Sequence, residues 1–291
     1  MSDLFAAHRE NLRRSRTVRV CGTVAEVGGL TVVAEGLPVS IGSLCEIQPA
    51  CGARIAAQIV AVRGDRAVLL PLHDPNGVAV NDRVESRSGL EAVPVGRQML
   101  GTVLNGLGRP IGGRTDFHVE SQYPVYRDAP PALTRGAISK PLATGVRTID
   151  AMHTIGGGQR MGIFAGTGVG KSVLMGMIAR YTAADVTVVA LIGERGREVG
   201  DFIRNDLGEE GAKRCVMVVS TSDESPVLRV RAGFGATAVA EYFRDLGNDV
   251  LLLMDSTTRM ATAQRQIGLA AGEPPTTKGY PPSVFSLLPQ L

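Results

Sequence analysis

A chain of 291 residues, 44% hydrophobic and 20% charged, is long enough for two domains with cores of their own and is not the composition of a disordered protein. A formal charge of +3 is too small to imply nucleic acid by itself, and no apolar run approaches the roughly 18 residues that would span a bilayer. Arginine carries almost all of the basicity, because Lys140, Lys171, Lys213 and Lys278 are the only lysines.

Residues 1–17 read as a basic arm with a short helix-like pattern, in which Arg9, Arg13, Arg14 and Arg16 (with Arg19 just beyond) face Glu10. Such an arm is either a solvated face or a docking segment for a membrane surface or an acidic partner, and it lacks the apolar core of a secretory signal. Residues 18–92 then have the texture of a small β-barrel or sandwich. The runs TVRVCGTVAEV, GLTVVAE, SLCEIQP, RIAAQIVAV, DRAVLLPL and DRVESR are short, rich in Val and Ile, and divided by Gly, Pro and Asp. Small barrels that bind oligonucleotides stack bases on aromatic rings, but no Phe, Tyr or Trp occurs between Phe5 and Phe117, and through residue 94 ten Arg balance ten Asp and Glu. The pattern fits an assembly collar and argues against nucleic acid. Cys21, Cys45, Cys51 and Cys215 show no metal-ligand spacing and read as reduced thiols.

Beyond a Gly- and Pro-marked linker carrying one short strand near 100–104, the texture changes to α/β. Strands are expected at 161–164, 186–192, 215–220 and 250–254, with helices at 172–181, 199–207, 226–246 and 258–270. Near-continuous apolar strands alternating with helices predict a mostly parallel sheet covered on both faces. The 226–246 helix is announced by SDESP, an N-cap followed by proline in the first turn.

The run MGIFAGTGVGKS (161–172) is the strand–loop–helix frame that a P-loop requires. Gly166, Gly168 and Gly170 leave the backbone N–H groups of 166–170 open to phosphates, and the helix start adds its partial positive charge. The nucleotide-binding set is Gly166, Thr167, Gly168, Val169, Gly170, Lys171, Ser172 and Val173, with Lys171 reaching the β- and γ-phosphates and Ser172 ligating Mg²⁺. Ala165 stands where the strict pattern has glycine. In NDVLLLMDSTTR, Asp255 follows an apolar strand, as an acceptor for the Mg²⁺ shell would. In VVALIGERGREV, Glu194 also leaves a strand at the ligand-binding edge, where a carboxylate can polarise an attacking water. Arg259, four residues past Asp255, either contacts nucleotide or pairs with an acid.

These stretches, together with LGTVLNGLGRPIGG, ATGVRTIDAMHTIGGGQRMG, GERGREVGDFI and GEPPTTKGYPPSVF, are similar to the flagellar and injectisome type III secretion ATPases, relatives of the catalytic subunits of rotary ATP synthases. The resemblance covers essentially the whole chain. It implies a small N-terminal β-barrel followed by a RecA-like α/β P-loop domain over 93–291, incomplete, with a C-terminal helical domain lying past Leu291. It implies ATP and Mg²⁺ as ligands, Glu194 as general base, Lys171 and Arg195 as catalytic partners of the γ-phosphate, and Ser172 and Asp255 at the metal; Ala165 is common in the family. It further implies a homo-hexamer at the cytoplasmic face of the inner membrane. The partners implied are the export apparatus, a stator-like regulator, a stalk, export substrates and chaperones. GEPPTTKGYPPSVF resembles the loop at the hexamer's central channel, held rigid by its prolines. The arginine finger and adenine wall of the family fall beyond Leu291, and a finger supplied in trans is worth about 10³–10⁵ in rate, so low turnover is expected of this polypeptide alone. The stretch GQRMGIFAGTGVGKSVLMGMIARYTAADV resembles the flagellar branch more than an injectisome ATPase, and GERGRE and FAGTGVGKS argue against a rotary synthase subunit. The absence of base-stacking residues in the first domain argues against a related RNA translocase, and a non-enzymatic truncated paralogue is the remaining alternative.

Overall fold

The computed structural model describes residues 20–87, 92–112, 116–166 and 168–291. The basic arm and Thr167 lie outside the described residues. The chain divides into two compact units, Met1–Ser88 and Gly89–Leu291.

In the first unit, strands β1 (Cys21–Gly28), β2 (Thr31–Glu35), β3 (Leu44–Gln48), β4 (Ile55–Arg63), β5 (Arg66–Pro71) and β6 (Arg83–Arg87) close a barrel in the order β1-β2-β5-β4-β3-β6. Every neighbouring pair is antiparallel, as the short connections require. Alternation sends Val24, Val32, Ile47, Ile59, Leu69 and Val84 inward, each at most 1% exposed. The buried cluster they form contains only aliphatic side chains and Cys45. Burial pushes the Cys45 thiol up to about 12, consistent with an inert packing role. Closure leaves the barrel no free edge.

The second unit begins with β7 (Ala92–Val95), which pairs with β10 (Ser121–Pro124). Between these two strands lie β8 (Val103–Asn105) and β9 (Pro110–Ile111), and further on β11 (Pro141–Leu142) pairs with β12 (Ile155–Gly156) around helix α1 (Arg147–Met152). There follow α2 (Lys171–Tyr181), β13 (Val186–Glu194), α3 (Gly196–Asp201), a π-helical turn (Phe202–Leu207), α4 (Gly208–Lys213), β14 (Cys215–Thr221), α5 (Pro226–Asp245), β15 (Val250–Asp255), α6 (Thr257–Ala270) and α7 (Pro282–Leu287). The sheet order is β15-β13-β14-β8-β9, parallel except for β9.

Strand β13 shows why both faces are covered. Val188, Ala190 and Ile192 face a cluster with α5 and α6, while Val189 and Leu191 face one with α2 and the π-helical turn. Eight of its nine residues are buried, which is the pattern of a central strand in a parallel sheet. On the α2 side the helices approach closely, because a Cβ at Gly176 would stand 2.5 Å from that of Asp206.

One expected strand does not form. Residues 161–164 have no ladder partner among the described residues; Met161 is 49% exposed and Phe164 96%. The run is only four residues long and contains Gly162, so its own strand propensity is small, and without a neighbour to bury its apolar side chains nothing offsets the ordering entropy. The helix expected at 199–207 is instead the end of α3 followed by the π-helical turn, and Gly208, at φ 67°, turns the chain into α4 as its first residue.

Candidate functional site

The carboxyl ends of β13 and β15 bring the two acidic candidates to one edge of the sheet. Leu191 pairs with Asp255 across the parallel ladder, so β13 continues past that level to Glu194. Asp255 is 4% exposed, and its Oδ1 accepts the ammonium of Lys171, the first residue of α2. A buried carboxylate needs such a partner, and here two motifs 84 residues apart in sequence supply each other's counter-charge. The peptide bond between Asp255 and Ser256 is cis.

Gly170 caps α2 in a left-handed conformation with φ 93°, and Gly168 has φ 79°. A Cβ built on Gly166, Gly168 or Gly170 meets nothing within 4 Å, so the loop borders open space on the side where side chains would stand. That space, the N-terminus of an eleven-residue helix and one lysine fit a polyphosphate. Ser172, in the first turn of α2, and Asp255 are the oxygen ligands suited to Mg²⁺, which takes one or two protein oxygens and otherwise phosphate and water. Among the described residues no cluster of three or more His, Cys, Asp or Glu forms a protein-only metal cage. Val169 and Val173 are 69% and 54% exposed around the same loop.

Glu194 lies beyond Asp255 and is held from two sides. Arg259 Nε stands 3.0 Å from Glu194 Oε1, and its Nη2 donates to Oε2 at 3.4 Å. Burial raises the Glu194 carboxyl above the usual glutamate range, helped by a hydrogen bond with Glu198, while Arg259 pulls it back. Glu198 is correspondingly lowered by that same hydrogen bond and by Arg195. Of the two alternatives for Arg259, its side chain here pairs with an acid. Arg195 points elsewhere: its guanidinium donates to Glu198 at 3.1 Å and its side chain is 78% exposed. The expected set therefore assembles as Lys171 with Asp255 and Arg259 with Glu194, with Arg195 turned to the helix surface. Glu198 and Gly193 had no role in the sequence reading; the second carboxylate of GERGRE was the available signal for the former.

The model of the ATP synthase alpha/beta family, nucleotide-binding domain, matches residues 145–291, half of the chain and all of this site. The chain belongs to that family. Among curated family members, it is 48% identical over 291 residues to a flagellum-specific ATP synthase of Treponema pallidum and 49% identical over 271 residues to a type 3 secretion system ATPase of Xanthomonas euvesicatoria. It covers 65% and 61% of these two relatives, which align with 100% and 93% of the chain. The chain thus spans somewhat less than two thirds of the length of these relatives. Among solved structures it resembles the assembled ATPase EscN of the enteropathogenic E. coli type III secretion system. The TM-score is 0.86 at 42% identity, over 92% of this chain and 65% of that one. A second structure shows EscN with its central stalk EscO.

Proposed function

We propose that this chain is the nucleotide-hydrolysing part of an ATPase that energises type III export of flagellar proteins, working as a homo-hexamer at the cytoplasmic face of the inner membrane. One observation carries the reading: Lys171, Asp255 and Glu194 converge on one sheet edge in a chain 48% identical over its full length to a flagellum-specific ATP synthase. The N–H groups of residues 166–170 take the ATP phosphates, and Lys171 exchanges Asp255 for the β- and γ-phosphates. Ser172 and Asp255 would hold Mg²⁺, which when bound would neutralise charge on the phosphate oxygens. Val173 borders the nucleotide, and Arg195 swings from Glu198 toward the γ-phosphate. Glu194 accepts a proton from the water whose oxygen bonds to the γ-phosphorus as the bond to ADP breaks, and its raised proton affinity suits it to that task. The central stalk seen with EscN supports a stalk partner for the assembled protein. A stator-like regulator, the export apparatus, export substrates and chaperones complete its contacts.

The test separates binding from chemistry. Glu194→Gln should bind MgATP as the parent does while hydrolysis with enzyme in excess falls by roughly 10²-fold or more; undiminished hydrolysis removes Glu194 from its role. Lys171→Ala should lose ATP binding itself. Loss of flagellar filaments on deletion of the gene, restored by the intact gene but not by Glu194→Gln, checks the export role. The 49% identity to the Xanthomonas protein supports a second reading, injectisome export, in which deletion blocks virulence-type secretion and leaves filaments intact.

A further inference from the structure

Gly193, the penultimate residue of β13, stands where two irregularities coincide. The pairing of β13 with β14 runs in register to Ile192 and Ser220, then slips, so that Glu194 faces Thr221 and Gly193 is the extra residue of a bulge. Its φ is +72°, a conformation that side-chain-bearing residues rarely adopt. Bulges re-aim the side chain beside them, and here that side chain is Glu194, whose backbone carbonyl is then fixed by the N–H of Ser222 at 3.0 Å.

The second observation is what lies over Gly193. A Cβ there would come within 2.9 Å of Arg259 Cδ, 3.0 Å of its Cβ and 3.5 Å of its Cγ. Arg259 starts in the first turn of α6, its own N–H directed to the Ser256 Oγ cap at 3.4 Å, and its stem crosses the bare backbone of Gly193 before the guanidinium meets both oxygens of Glu194. Any side chain at 193 would push that stem aside.

We infer that Gly193 is a positioning residue, whose missing side chain gives the Arg259 stem its passage so that the guanidinium can fix the orientation of the Glu194 carboxylate. The inference rests on the reading of Glu194 as the group that takes the proton from water. Two fork-like contacts hold a carboxylate in one plane far better than one. A carboxylate that must meet a water in line with phosphorus loses rate steeply when its plane is wrong.

The test uses the chain as it is, with MgATP hydrolysis followed over a range of MgATP concentrations in excess of enzyme and separated into kcat and KM. Gly193→Asn is the informative variant, because Asn tolerates positive φ yet fills the passage; Gly193→Ala adds backbone strain to the same obstruction. Both should lower kcat about tenfold or more while KM changes less than about twofold. Arg259→Ala should lower kcat to a similar degree. Adding Gly193→Asn to Arg259→Ala should then cost little more, because residues acting through one contact are not additive. A wild-type kcat in Gly193→Asn overturns the inference, as does a double variant whose losses simply multiply. If Gly193→Asn fails to fold, Arg259→Ala decides alone, with an unchanged kcat overturning the inference. Wild-type hydrolysis by Glu194→Gln overturns the functional reading instead, and this inference with it.

Discussion

Glu194 carries its negative charge between a carboxylate and a guanidinium, and burial weighs against that charge in the folded state. Its folded proton affinity therefore exceeds its unfolded one. Below the ordinary glutamate range both states are protonated and the side chain costs nothing as an ion. As pH rises above that range the unfolded state loses its proton first, and stability falls until the folded group has titrated too. Glu194→Gln should accordingly gain in unfolding midpoint relative to the parent as pH is raised from about 4 toward neutrality, then level off. Equal midpoints at all pH values would show that Arg259 fully offsets burial. If Glu194 is the proposed base, keeping it ionised gives up stability for chemistry, a common trade at functional positions.

At the scale of elements, α5 shows how local signals and packing combine. Ser225 caps it by accepting the Leu228 N–H at 3.4 Å, Pro226 sits at its first position, and fourteen of its twenty residues are buried. Ser225→Ala should cost about 1 kcal/mol of stability by chemical denaturation, the usual worth of such a cap. These signals were readable in the sequence, as were the six barrel strands, whose turn residues and alternation agree with their final register. Asp255 and Glu194 were readable for the same reason: each ends an apolar run long enough to be a buried strand. The exceptions have physical causes. In 161–164 an apolar run beside a glycine loop looked like a strand, but strand formation depends on a neighbour that sequence periodicity does not supply. The Arg259–Glu194 pair joins positions 65 apart, and nothing in local pattern chooses between an acid and a nucleotide for an arginine. Gly193 was hidden because a glycine's need for positive φ and a close neighbour appears only in three dimensions.

For the whole molecule, the division into two compact units predicts that barrel stability and the proposed nucleotide chemistry are separable properties. The barrel is held by side chains such as Leu69, 0% exposed, and contains none of the residues proposed to meet ATP. Leu69→Ala should cost about 2–5 kcal/mol, read by calorimetry as a lowered barrel transition, with ATP binding in the second unit unchanged at temperatures below it. Loss of ATP binding in parallel with that transition would show the two units to be one cooperative system. Among the described residues no helix is long and apolar enough to cross a membrane.

The barrel's aliphatic core has an optical consequence. All five tyrosines, Tyr123, Tyr126, Tyr181, Tyr242 and Tyr280, belong to the second unit, and the chain has no tryptophan. Near-ultraviolet dichroism and tyrosine emission are therefore blind to the barrel, while far-ultraviolet dichroism sees both units. The tyrosines label one of the two units, and the difference between the two spectra isolates the other.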